Sequence, residues 1–195
     1  MGIDIDKTTF EAADFKAFGK RLEQNLESLQ ALLARPGFGA GPASIGSEME
    51  MYIVDASGYP LYANEEIEEE AKDPQLTLEL NRYNLEFNLS PYALDQSAFA
   101  KTEAEILAKL QQLRGVAARH GGRIVPIGIL PTLRKTDFGP HCITRRRRYH
   151  ALVEQLIRRR GDKFHIEING DDPLKLELAD ITLEGANTSF QVHYR

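Results

Sequence analysis

Glu48 and Glu50 stand two residues apart in Ile45-Gly46-Ser47-Glu48-Met49-Glu50-Met51-Tyr52-Ile53-Val54. The second half of this run is apolar, aromatic or β-branched, and Asp55-Ala56-Ser57-Gly58 follows it as a turn, so it reads as a β-strand. Side chains alternate across a strand, which puts both carboxylates on one face. Two like charges on one face repel unless a cation lies between them or water screens them. A hard divalent cation such as Mg²⁺ takes carboxylate oxygens and would resolve the conflict. A plain solvated strand face, the usual place for Glu, accounts for the same pair.

Two further stretches repeat the pattern. In Tyr83-Asn84-Leu85-Glu86-Phe87-Asn88-Leu89-Ser90-Pro91, Leu85, Phe87 and Leu89 point one way and Asn84, Glu86 and Asn88 the other, until Pro91 ends the run. In Asn187-Thr188-Ser189-Phe190-Gln191-Val192-His193-Tyr194-Arg195, Ser189, Gln191 and His193 share a face opposite Phe190 and Val192. A sheet of such strands has one side for a core and the other for a cleft. Solvation alone predicts the alternation, but not the collection of Glu, Asn, Gln and His with so few Lys.

The order of these stretches resembles the glutamate–cysteine ligase type 2 family. Gly46-Ser47-Glu48-Met49-Glu50 is similar to its G-x-E-x-E strand, and Asn84-Leu85-Glu86-Phe87-Asn88 before Ser90-Pro91 to its second acidic strand. Ile127-Gly128-Ile129-Leu130-Pro131 resembles its glycine-proline stretch, Arg148-Tyr149 its R-Y pair, and Phe190-Gln191-Val192-His193 its histidine strand. Each motif is short; five in order over roughly residues 40–195 make the resemblance specific. It implies an ATP-dependent carboxylate–amine ligase with a glutamine-synthetase-like catalytic sheet. Family members run well beyond 195 residues, so the expectation is an N-terminal portion of a longer catalytic unit. Thr188-Ser189 stands where a Cys-Gly-type pair often precedes the histidine strand, which leaves the substrate open.

Such a ligase must turn a carboxylate into an acyl phosphate at the expense of ATP, after which an amine displaces phosphate. Charge gathers on the transferred and leaving phosphates, and Mg²⁺ held by acidic side chains on rigid strands answers it. The resemblance therefore implies Glu48, Glu50 and Glu86 as metal ligands, with His193 as a further ligand or phosphate contact. A histidine in the set favours Mn²⁺ as well. Asn88 and Gln191 would orient substrate or cofactor, and Glu86, His193 and Arg148 form the catalytic set. Glu79 lies close to the second acidic strand but is left out of the assignment. Expected substrates are ATP, glutamate or a similar amino acid, and an amine such as cysteine. Two other classes remain open: a non-enzymatic structural or ligand-sensing module, and a guanidino-kinase-like phosphotransferase.

Several elements must position these strands. Phe15, Phe18, Leu22, Leu26, Leu29 and Leu33 recur at helical spacing within residues 9–35, and Pro36-Gly37 stops the run, so a packing helix precedes the sheet. The acidic stretch Glu65–Glu70 reads as a solvated helix start. Phe99, Ile106, Leu107, Leu110, Leu113, Val116 and Ala117 mark a helix over 97–120, with Ser97 as N-cap and Gly121-Gly122 as its end. Residues 123–129 follow as a buried strand. Arg145–Arg148 begin a helix on which the four arginines splay round the axis, and Phe164–Asn169 with Leu174–Leu178 read as a hairpin.

The fold class expected is α+β, a mainly antiparallel curved sheet with helices on its outer face. Residues 1–44 supply a helix and loop; residues 45–195 supply the N-terminal part of the catalytic domain. A net charge of −5 provides no global attraction to nucleic acid or anionic membranes. The 42% hydrophobic content is enough for a core. The lone Cys142 excludes an internal disulfide framework, and with no signal-peptide pattern at Met1-Gly2-Ile3-Asp4 and no membrane-length apolar run, a cytoplasmic protein is expected, with homo-oligomerisation open.

Overall fold

The computed structural model describes residues 5–195; Met1–Asp4, where the sequence lacks a signal-peptide pattern, lie outside them. The fold is mixed α+β, built on an antiparallel sheet. Its centre is β1 (Ser44–Val54), an eleven-residue strand. One edge of β1 pairs with β3 (Asn84–Asn88) and β4 (Tyr92–Ala93), and β2 (Leu76–Leu78) adds outside β3. β5 (Arg123–Val125) and β8 (Phe190–Tyr194) also pair antiparallel with β1, taking successive lengths of it, Tyr52–Val54 and Ile45–Met49. β6 (Phe164–Ile168) and β7 (Leu174–Leu178) form a separate hairpin, as the alternation predicts.

The two faces of the sheet follow the period-two pattern. Met49, Met51 and Ile53 of β1 join Leu85, Phe87 and Leu89 in the main core, together with Leu76 and Leu78. α2 (Asn64–Ala71) and α3 (Ala98–Arg119) cover this face through Ile67, Leu110, Leu113 and Ala117. Burial of such side chains contributes roughly 1.5–3 kcal/mol each relative to exposure. Ser97 precedes α3 as expected, but its hydroxyl donates to Asp95 at 2.6 Å and leaves the helix backbone uncapped by its side chain.

On the opposite face the sheet is polar at one end and apolar at the other. Tyr52 and Tyr83 stack there with centroids 5.7 Å apart, and Leu130 and Cys142 cover them in a second cluster. α4 (Arg147–Arg160) lies beyond, packing Val153 against Leu80 and Ile143. Among the described residues, Glu48, Glu50 and Glu86 lie at the end of the sheet that contributes nothing to this cluster.

Two expectations are corrected. The predicted strand over 123–129 keeps strand pairing only at Arg123–Val125; Pro126 then interrupts the donor ladder. The predicted packing helix forms as α1 (Ala12–Leu33), but none of its residues is buried. Its periodicity shows that one face favours cover without specifying what covers it. Among the described residues, no helix is long and apolar enough to cross a membrane.

Candidate functional site

Strand register decides which acidic groups meet. Glu50 of β1 stands directly opposite Glu86 of β3, and Thr77 of β2 stands opposite Glu86 on its other side. Directly opposed residues put their side chains on the same face within about 5.5 Å at Cβ. Glu79, one residue past the end of β2, shares the face of Thr77. Oxygen atoms of Glu50, Glu79 and Glu86 all lie within 4.8 Å of one another, and all three side chains are half-buried. Three carboxylates thus converge on one face of the sheet.

Each member is held. The backbone N–H of Ser189 donates to Glu50 Oε2 at 2.7 Å and its hydroxyl at 3.2 Å, while the Glu50 N–H donates to the Ser189 carbonyl at 2.9 Å. Thr77 Oγ1 donates to Glu86 Oε1 at 3.2 Å, and the Asn88 amide donates to the same oxygen. Burial and the neighbouring Glu86 and Glu50 charges push Glu79 up from 4.5 to about 8. Burial also raises Glu50, against the two Ser189 hydrogen bonds. A carboxylate raised this far by burial beside two others is a candidate functional group.

The other expected residues form a neighbouring group. Glu48 is one pleat along β1 from Glu50, opposite Asn88 on one side and Gln191 on the other. Its Oε2 lies 3.4 Å from His193 Nε2. Glu48 and His193 thus meet each other, while the close carboxylate cluster is completed by Glu79. Asn88 is turned towards Glu86 and Thr77. Gln191 is exposed on β8. Two residues escape the sequence assignment: Glu79, whose signal is the alternation Thr77–Glu79 next to an acidic strand, and Ser189, which pins Glu50.

Arg148 reaches the cluster from α4. It shares with Tyr149, Thr77, Leu78, Glu79, Glu86 and Leu152 an open cleft of about 410 Å³. Its guanidinium lies over the Tyr149 ring, 4.6 Å from the centroid, and Nη2 donates to the Tyr149 hydroxyl at 2.7 Å. That hydroxyl donates in turn to the Leu78 carbonyl at 2.6 Å. Burial pushes the Tyr149 hydroxyl up to about 12, so it stays a donor. The next arginines are engaged elsewhere: Arg145 with Glu65 and Glu66, Arg146 with Glu68.

A family model, glutamate-cysteine ligase family 2, matches residues 44–169, from the first residue of β1 to just past β6. The chain belongs to glutamate–cysteine ligase family 2. Membership carries a carboxylate–amine-ligase-like function. No curated protein and no solved structure matches the chain. The match spans Glu48, Glu50, Glu79, Glu86 and Arg148; His193 and Ser189 lie beyond it.

Proposed function

We propose that the chain is the metal-holding part of an ATP- and Mg²⁺-dependent carboxylate–amine ligase that forms an amide through an acyl phosphate. Three carboxylate oxygens within 4.8 Å of one another, on the acidic strands of a glutamate–cysteine ligase family member, carry this reading. The donor set fits the ion. It is all oxygen and half-buried, and burial together with the Glu86 and Glu50 charges raises the pKa of Glu79. Glu50, Glu79 and Glu86 would hold Mg²⁺ or Mn²⁺; Glu48 and His193 extend the polar face beside them.

Bound metal supplies charge neutralisation for the transferred phosphoryl group and the leaving diphosphate. The chain's own residues do the rest. Arg148, fixed over Tyr149, brings a permanent positive charge to the cleft where phosphate oxygens gather. Ser189 keeps Glu50 pointing at the cluster, and Thr77 and Asn88 do the same for Glu86. Glu79 would release its proton to solvent in order to hold a cation. Glutamate or a similar amino acid is the substrate in this reading, with an amine such as cysteine as acceptor, in the cytoplasm.

The test is a thermal-shift titration with Mg²⁺ and ATP on the wild type, Glu50→Gln and Glu79→Gln. Binding to the native state raises the melting temperature by mass action. A metal-dependent rise in the wild type that both variants lose is the expected result. An equal rise in all three would overturn the assignment. Incubation of the liganded protein with glutamate and amines, with phosphate release measured, then separates an amide-forming ligase from a guanidine phosphotransferase or an inert module.

A further inference from the structure

α1 displays an apolar stripe that stays exposed among the described residues. Phe15, Phe18, Leu22, Leu26, Leu29 and Leu33 are all exposed, Phe18 at 67% and Leu33 at 56%. Their spacing repeats at eleven residues: Phe15 to Leu26, Phe18 to Leu29, Leu22 to Leu33. Such a repeat averages about 3.67 residues per turn, close to the helix's own period, so the stripe runs nearly straight. From Phe15 to Leu33 it extends about 27 Å. A stripe this long exceeds the scattered apolar residues that a soluble surface normally carries.

The charges on the same helix say what fits. Lys16, Lys20 and Arg21 lie in its first half, and Glu23 and Glu27 in its second. Asp14, at the start, is engaged by Lys7. These five charges lie between the first and last turns, where the helix dipole has little effect. An antiparallel copy of the same helix sets its acidic half along the basic half of the first. The apolar spacing is also nearly symmetric about Gln24: Leu22 falls opposite Leu26 of the other copy, and Phe15 opposite Leu33.

We infer that α1 is a self-association element, pairing antiparallel with α1 of a second copy of this chain along the Phe15–Leu33 stripe. The pairing is independent of the ligase reading, since no residue of the carboxylate cluster lies on α1. Because no residue of α1 is buried among the described residues, its substitution leaves the sheet and its cores intact.

Sedimentation equilibrium of the 195-residue chain tests the association. The expected mass is twice the 21.9 kDa of one chain. The double variant Leu22→Glu, Leu26→Glu should sediment at the single-chain mass with an unchanged melting temperature. Orientation is read by oxidation. A Phe18→Cys chain mixed with a Leu29→Cys chain should cross-link, and Phe18→Cys alone should not. A single-chain mass for the wild type, a double mass that survives the two glutamates, or cross-linking of Phe18→Cys with itself would each overturn the proposal.

Discussion

Glu50 and Glu86 face each other across the β1–β3 pairing, each with a carboxylate in the cluster completed by Glu79. Like charges opposed across a sheet destabilise it by a few tenths to about 1 kcal/mol. The hydrogen bonds from Thr77 and Asn88 hold Glu86 in place without removing its charge. Glu86→Gln keeps an oxygen for those donors and relieves the repulsion. The variant should therefore melt slightly higher than the wild type without metal, by about 0.5–1 kcal/mol, and lose the Mg²⁺-dependent rise. Paired melting curves with and without Mg²⁺ check both halves. A metal-free loss of stability with the Mg²⁺ response retained would place the cation elsewhere.

Glu79 makes stability depend on pH in a stated direction. Its folded value is raised from 4.5 to about 8 by burial and by Glu86 and Glu50. The native state therefore binds a proton that the unfolded state has released between those values. Its stabilising contribution is full below about 4.5 and is lost as pH rises towards 8, a swing on the order of a few kcal/mol. The metal-free wild type should lose stability across that window more steeply than Glu79→Gln. Denaturant melts at pH 5, 6.5 and 8 measure the difference; parallel pH profiles for the two proteins would remove Glu79 from this role.

The strands that carry the site were legible because burial and chemistry share a period. Leu85, Phe87 and Leu89 point into the core, and Glu86 necessarily points away. Which acids meet was not legible. Glu79 joins the cluster through the register of β2 against β3, a pairing between residues that no local pattern fixes. Glu48 reads like Glu50 in the sequence, yet one pleat of displacement gives it His193 as a neighbour. Tyr52 continues the polar face of β1 by alternation but is fully buried, because Leu130 and Cys142, distant in sequence, close over it. Periodicity reports that a face is to be covered; the covering residues come from elsewhere in the chain.

Glu105 of α3 is a latch at the end of β3. Its carboxylate accepts the Ser90 N–H at 3.1 Å, the Ser90 hydroxyl at 2.7 Å, the Gln75 amide at 3.0 Å and the Tyr92 hydroxyl at 3.2 Å. Burial alone would raise its pKa, but these donors together lower it. The stabilisation is present above the ordinary carboxylate range and is lost as pH falls through the lowered value. Glu105→Ala leaves several donors at this turn without their acceptor. We expect a loss of about 1–3 kcal/mol, smaller in acid than at neutrality. Urea melts at pH 3.5 and pH 7 test it; an equal loss at both would assign the effect to packing.

Gly185 ties the far end of the chain to the loop behind Glu79. A Cβ there would lie 2.6 Å from Leu80 Cδ2, 3.1 Å from Leu80 Cβ and 3.2 Å from Asn81 Oδ1. Leu80 is buried between Ile143 and Val153, so it has little room to yield. Overpacking of this kind costs about 1–3 kcal/mol. Any displacement of Leu80 is passed to Glu79 through one peptide bond. Gly185→Ala should thus lower stability by that amount and weaken the Mg²⁺ response together. Gly170→Ala is the control, since a Cβ there meets nothing within 4 Å. Melting curves with and without Mg²⁺ for both variants decide the matter. A Gly185→Ala protein that is less stable but keeps the full Mg²⁺ response would show that Leu80 yields without moving Glu79.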